Sequence, residues 1–251
     1  TSVGTIKKIK TVAEIIAEYK RKKYKVIVVS SAMSGVTNEL IKKSKDISEN
    51  FADEEYDVLV SSGEQVACSL IAGRLIHKGI NSRSWLAWQI PIFTQGVNKN
   101  SRIYNINKKK ILRYLKDGGI PIITGFQGIN ENERVSTIGR GGSDATAIVL
   151  AKFFKAQKCV IYTDVEGVYT TDPNKLNKAR KIKEISYEEM LEMASLGSKV
   201  MQPISVQAAM IDNIPIHVRS TFSEKTGTKI ISENEIDYKK VVTGISYSKN
   251  D

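Results

Sequence analysis

Apolar positions Ile6, Ile9, Val12, Ala13 and Ile16 recur at intervals of three and four, which predicts an amphipathic helix across the opening segment. YKVIVVSS (24–31) is instead a β-branched run and reads as a buried strand. It ends in the small-residue loop AMSGVTN, after which a helix is expected from about Thr37. EQVACSLIAGRLIHKG (64–79) gives a second helix, ended by Gly79. The pattern then predicts a strand over 82–88, a helix over 106–117 closed by Gly118 and Gly119, and a strand in IPIITGF (120–126). A helix in SDATAIVLAKFFKA (143–156) and a strand in KCVIYTDV (158–165) follow. Ser186 and Glu189 have capping-box spacing ahead of EEMLEMASLG, and another helix covers roughly 199–212. PIHVRS (215–220), TKIIS (228–232) and VVTGISYS (241–248) read as short strands.

Apolar strands alternating with helices imply an α/β fold with a largely parallel sheet and helices on both faces. Such sheets gather ligands at the carboxyl ends of their strands. The glycine-bearing segments SAMSG, GFQG and TDVEGVYTTDP each follow a predicted strand.

Composition narrows the function classes. The 251 residues are 41% hydrophobic, enough for one large domain or two small ones and for a sizeable core. No run approaches the ~18 apolar residues of a membrane span. The opening TSVGTIKKIK lacks the apolar stretch and cleavage site of a signal peptide. Cys68 and Cys159 sit in apolar runs and read as free thiols of a reducing, cytoplasmic setting. His77 and His217 are far apart, with no companions at ligand spacing, so no protein metal site is expected. The net charge of +11 is dispersed; its densest run, Lys108 to Lys110, alternates with a helical apolar stripe and reads as a solvated face. Neither nucleic-acid nor membrane partners are expected.

Candidate chemistry centres on TIGRGGSD (137–144), at the start of a predicted helix. Glycines 139, 141 and 142 allow positive φ and close approach, and a helix start with free N–H groups favours anions. Arg140 adds a two-pronged donor for a carboxylate or phosphate. The bland alternative is a tight turn with a local Arg140–Asp144 ion pair. Elsewhere, Ser31, Ser34 and Thr37 offer hydroxyls around Gly35, and SSGEQ places Glu64 at an expected helix start. IYTDVEGVYTTDP brings Thr163, Asp164 and Tyr169 together, and GSKVMQP contains Lys199.

In chain order, TSVG, SAMSGVTN, LVSSGEQV, GFQG, TIGRGGSD, YTDVEGVYTTDP and EEMLEMASLGSKVMQP resemble the aspartokinases of the amino-acid kinase superfamily over nearly the whole chain. The resemblance implies a three-layer αβα sandwich with a mainly parallel central sheet. It implies transfer of phosphate from ATP, with Mg2+, to the side-chain carboxylate of L-aspartate, the first step towards lysine, threonine and methionine. By the same resemblance Thr37, Glu64 and Arg140 hold the amino acid, with Ser31, Ser143 and Asp144 close by; Arg140 and Asp144 are the catalytic candidates. Gly142, Thr163, Asp164, Tyr169 and Lys199 are expected at the nucleotide. A homo-oligomer, a dimer or larger, is expected too.

The chemistry is consistent with these assignments. An aspartate side chain, with a reference pKa of about 3.9, is already ionised at neutral pH, so no general base is needed. Catalysis reduces to aligning two anions and neutralising charge. Arg140 suits the α-carboxylate, Glu64 the α-ammonium, and the N–H groups of Gly142 and Ser143 the phosphate oxygens. Three departures stand out. The family has a strand ending in KFGG just before TSVG, whose lysine is expected to stabilise the transferring phosphoryl group, whereas this chain opens at Thr1. It looks like a truncated chain, with an inactive ligand-binding variant or a kinase for another amino acid as alternatives. Asn174 stands where the family pattern has arginine. The third is at the end: residues 1–234 are read as the catalytic domain, and 235–251 as a linker and the start of a regulatory ACT domain, cut short.

Overall fold

The computed structural model describes residues 2–173, 175–198 and 200–236. The strand expected at 241–248 and nearly all of the segment read as linker and ACT start lie outside the described residues, as do Asn174 and Lys199. The chain divides into two compact units, Thr1–Ala147 and Ile148–Asp251.

The first unit opens with α1 (Ile6–Arg21), capped by Thr5, whose hydroxyl accepts from the Lys8 N–H at 3.2 Å. Its predicted stripe is buried at Ile9, Ala13 and Ile16. β1 (Val28–Ser30) follows, and α2 (Val36–Ile47) begins after Gly35. The next helix, α3 (Asp53–His77), has 25 residues and starts well before the expected residue 64. Ser61, Ser62 and Gly63 read locally as a helix breaker. In the fold, the two serine hydroxyls donate back to the Val58 and Leu59 carbonyls at 2.9 and 2.7 Å. Gly63 meets a tertiary need: a Cβ there would lie 2.9 Å from the Ala32 Cβ and 3.2 Å from a Val36 methyl.

β2 (Ser82–Trp85) is followed by a hairpin, β3 (Ile92–Gln95) and β4 (Arg102–Ile106), which the pattern did not predict. β4 takes Ile106, so α4 (Lys109–Lys116) is shorter than expected. β5 (Ile120–Thr124) is entirely buried. A second unpredicted hairpin joins β6 (Gln127–Ile129) to β7 (Val135–Thr137). β1, β5 and β2 form a parallel sheet in that spatial order, while β4, β3, β6 and β7 form a mixed one. Ile9, Ala13 and Ile16 of α1, Cys68, Ile71 and Leu75 of α3, and Ile120 and Ile122 of β5 share one core.

α5 (Gly142–Phe153) crosses the boundary between the units. In the second unit β8 (Cys159–Thr163), β9 (Glu184–Ser186), β10 (Ile216–Ser220) and β11 (Thr228–Ile231) pair in the order β8-β10-β11-β9. β8 and β10 run parallel, as do β11 and β9, and β10 and β11 run antiparallel. The capping box of α6 (Tyr187–Ser195) forms as expected, Ser186 and Glu189 exchanging bonds of 3.1 and 3.0 Å. α7 (Pro203–Asp212) starts at a proline, which suits a first turn. The α/β class and its parallel pairing are thus as anticipated, with the ladders of the described residues divided among three sheets.

Gly63→Ala tests the approach of α3 to the loop after β1. Alanine gains about 1 kcal/mol of helix propensity. A Cβ–Cβ distance of 2.9 Å cannot be relieved by a rotamer, and overpacking costs typically about 1–3 kcal/mol. A lower melting temperature is expected; a higher one would show that the loop yields freely.

Candidate active site

The carboxyl ends of β1 and β5 are tied together, the Gly125 N–H donating to the Ser30 carbonyl at 3.0 Å. Ser31 leads the loop that runs to Thr37, the second residue of α2. Glu64 reaches this loop from the middle of α3, not from a first turn as the sequence suggested. Its Oε1 accepts the Ala32 N–H at 3.0 Å; its Oε2 is buried without a hydrogen-bond partner. At 3% exposure the residue is desolvated, and burial pushes its pKa up to about 7 against the partial relief of the Ala32 N–H.

The turn before α5 is stapled from below. The Phe126 N–H donates to the Thr146 hydroxyl at 3.2 Å, that hydroxyl donates to the Gly142 carbonyl at 2.7 Å, and the Ile138 N–H reaches the Phe126 carbonyl at 3.0 Å. Gly139 and Gly141 take φ of 84° and 75°, the left-handed conformation anticipated for them. The Gly142 N–H, expected to face phosphate, donates to the Gly139 carbonyl at 3.0 Å and so closes the turn. Ser143 and Asp144 lie inside α5, so neither caps it. Ser143 rests directly on Gly125, where a Cβ would come within 2.8 Å of it. Asp144 keeps some exposed surface, yet packing around its carboxyl raises the pKa to about 6. Arg140 is exposed and makes no ion pair or hydrogen bond with any described residue, which removes the local Arg140–Asp144 pair from consideration.

Ser31, Thr37, Glu64, Arg140, Gly142, Ser143 and Asp144 belong to the first unit; Thr163, Asp164 and Tyr169 belong to the second. Thr163 ends β8, its carbonyl accepting the Thr221 N–H at 2.9 Å and its hydroxyl facing the Asp164 carboxylate at 3.2 Å. Tyr169 donates to Glu166 at 3.0 Å, and Lys225 donates to the same oxygen at 2.8 Å. The loop between is fastened by buried Thr228, which accepts the Val168 N–H at 2.9 Å and donates to the Ile182 carbonyl at 2.6 Å. Lys199, the remaining nucleotide candidate, lies outside the described residues.

Two buried polar side chains near the first group escaped the sequence reading. Gln127 donates to the Ser61 carbonyl at 2.9 Å, and Asp57 sits fully buried on α3. A lone carboxylate inside the apolar run YDVLV was the available signal for Asp57. Among the described residues, no group of three or more His, Cys, Asp or Glu is placed to hold a metal ion. No helix among them is long and apolar enough to cross a membrane.

The fold is α/β with parallel strands, its glycine turn presents an arginine unpaired among the described residues, and α3 carries a desolvated glutamate. The model of the amino acid kinase family matches residues 1–220, and the chain belongs to that family. Within it, the similarity is to aspartokinases. The aspartokinase of Geobacillus stearothermophilus is 45% identical over 247 residues, covering 98% of this chain and 61% of that protein. The crystal structure of aspartate kinase from Synechocystis superposes with a TM-score of 0.82 at 37% identity, over 92% of this chain and 39% of that one. Escherichia coli aspartokinase III in complex with aspartate and ADP gives 0.81 at 26% identity, over 94% of this chain and 63% of that one. The chain therefore spans about three-fifths of the length of the curated relatives it matches.

The raised pKa of Glu64 has a testable sign. The folded state holds the proton more tightly than the unfolded one, so the stabilisation is complete below pH 4.5 and is lost as pH rises to about 7. The loss is on the order of 3 kcal/mol. Urea unfolding across pH 4.5–8 should show this decline in the ligand-free protein and a shallower one in Glu64→Gln. Equal slopes would mean that Glu64 ionises normally.

Proposed function

We propose that the protein transfers the terminal phosphoryl group of ATP to the side-chain carboxylate of L-aspartate. The observation that carries this is the unmet, buried Glu64 oxygen, on a carboxylate that accepts from the loop running from Ser31 to Thr37. In this reading it works with the Arg140 guanidinium, exposed and unpaired among the described residues, and with the Ser31 and Thr37 hydroxyls. One group invites an ammonium and the other a carboxylate, which together describe a free amino acid. The relatives named as aspartokinases, and the E. coli structure holding aspartate and ADP, support aspartate and a nucleotide as the ligands.

In this reading Glu64 is ionised by its partner. An ammonium ion at Oε2 replaces the missing hydrogen bond and draws the pKa back down. Arg140 grips the α-carboxylate, which leaves the side-chain carboxylate as the free nucleophile. Thr163, Asp164, Tyr169 and Lys199 serve the nucleotide, Asp164 accepting hydrogen bonds from ribose or base. No carboxylate cluster among the described residues is placed to hold a metal ion, so Mg2+ would arrive on the nucleotide, keeping waters and phosphate oxygens as its ligands. Bound there, it would neutralise phosphate charge. Residues 1–234 form the catalytic part of this reading, and a homo-oligomeric, cytoplasmic enzyme of amino-acid biosynthesis belongs to it through the resemblance.

Phosphoryl transfer to a panel of amino acids tests the assignment: aspartate should dominate, and equal rates on glutamate would refute it. Binding of both ligands without turnover would favour an inactive binding domain. Arg140→Ala should lower kcat/KM for aspartate by removing a charge-assisted contact worth about 1.5–3 kcal/mol, roughly ten- to a hundredfold. Glu64→Gln should raise the KM for aspartate more than that for ATP, and the opposite order would show the two pockets to be exchanged.

A further inference from the structure

Asp57 shares α3 with Glu64, but it points its carboxylate at a different target. Its oxygens accept the Thr137 hydroxyl at 2.6 Å, the Thr137 N–H at 3.1 Å and the Lys99 N–H at 3.1 and 3.2 Å. Thr137 is the last residue of β7 and leads into the Ile138–Gly142 turn that carries Arg140. Lys99 lies in the hairpin loop between β3 and β4 with a left-handed φ of 65°, and its ammonium pairs with Asp53 and lies 4.6 Å from the Tyr56 ring centroid.

That hairpin loop backs onto the same turn. The Ser101 N–H donates to the Thr137 carbonyl at 2.9 Å. A Cβ added at Gly139 would lie 3.0 Å from the Lys99 carbonyl oxygen and 3.3 Å from the Asn100 side-chain oxygen. One buried carboxylate thus fixes the residue before the turn and the loop behind it. Burial raises its pKa, and the Thr137 and Lys99 hydrogen bonds work against that rise. A carboxylate buried at such cost is tolerated only where its donors are all in place.

We infer that Asp57 is a positioning residue for the amino-acid subsite: by holding Thr137 and Lys99 together it sets where the 138–142 turn presents the Arg140 guanidinium. The inference rests on the role proposed for Arg140 above. Asp57→Asn preserves shape but turns an amide NH2 towards donors.

In the intact protein this variant should raise the KM for aspartate by about tenfold with little change in the KM for ATP. The deciding measurement is a double-mutant cycle with Arg140→Ala. If Asp57 acts through Arg140, the double variant is no worse for aspartate than Arg140→Ala alone. Additive losses, or aspartate and ATP affected alike, would reduce Asp57 to a structural tie and overturn the inference. Should Asp57→Asn fail to fold, Thr137→Val removes only the hydroxyl and takes its place in the cycle, with Thr137→Ser expected to restore the wild-type KM.

Amide hydrogen exchange over 138–142 in ligand-free protein gives a readout without turnover. It should quicken in Asp57→Asn or Thr137→Val, and unchanged exchange there would also overturn the inference. A wild-type protein that phosphorylates no aspartate would sink the proposed function, while the exchange result would still decide whether Asp57 controls the turn.

Discussion

The proposed amino-acid subsite depends on a glutamate that is almost wholly withdrawn from water. Glu64 is held in mid-helix against the loop after β1 by the absence of a side chain at Gly63, and only one of its oxygens is satisfied. A carboxylate so placed is unstable as an anion until a cation arrives. In the proposed function, desolvation makes this acidic side chain a receptor for a positively charged group. The close approach of Gly63 to Ala32 and Val36 helps to keep water from it.

The two halves of the proposed chemistry use different supports. The first unit relies on close backbone approach: Gly125 under Ser143, Gly142 against Phe126, and Gly63 against Ala32. The second fastens its loop with polar side chains, Thr228 beneath Val168 and Glu166 between Tyr169 and Lys225. Backbone approach gives rigidity to a subsite whose proposed work is to read two opposite charges at fixed spacing. Side-chain fastening suits a loop whose expected work is hydrogen bonding to a nucleotide.

Long, strongly periodic segments were legible in the sequence. α1, α6 with its capping box, and the buried strands β5 and β8 fall where periodicity and β-branching put them. The hairpins β3–β4 and β6–β7 were not, because strands of three to five residues with polar loops leave no period to read. The start of α3 was hidden for another reason. Local propensity makes Ser61-Ser62-Gly63 a breaker, while tertiary packing demands small residues at that crossing. The glycine turn was legible from its spacing, but on that alone a plain tight turn was the favoured reading; the role expected of Arg140 came from the family resemblance. That Glu64 sits in mid-helix, that the Gly142 N–H closes its own turn and that Asp57 lies beneath were not legible, since each follows from long-range contacts that spacing does not encode.

The contact between Gly125 and Ser143 also bears on how such a site can be re-tuned. An added Cβ at Gly125 would lie 2.8 Å from the Ser143 side chain and 2.9 Å from its backbone Cα, so trimming Ser143 alone would not make room. Gly125 can be exchanged only if the start of α5 itself shifts, whereas Ser143 can shrink while Gly125 stays as it is. Single-position libraries would therefore find a barren position at Gly125 and an open one at Ser143.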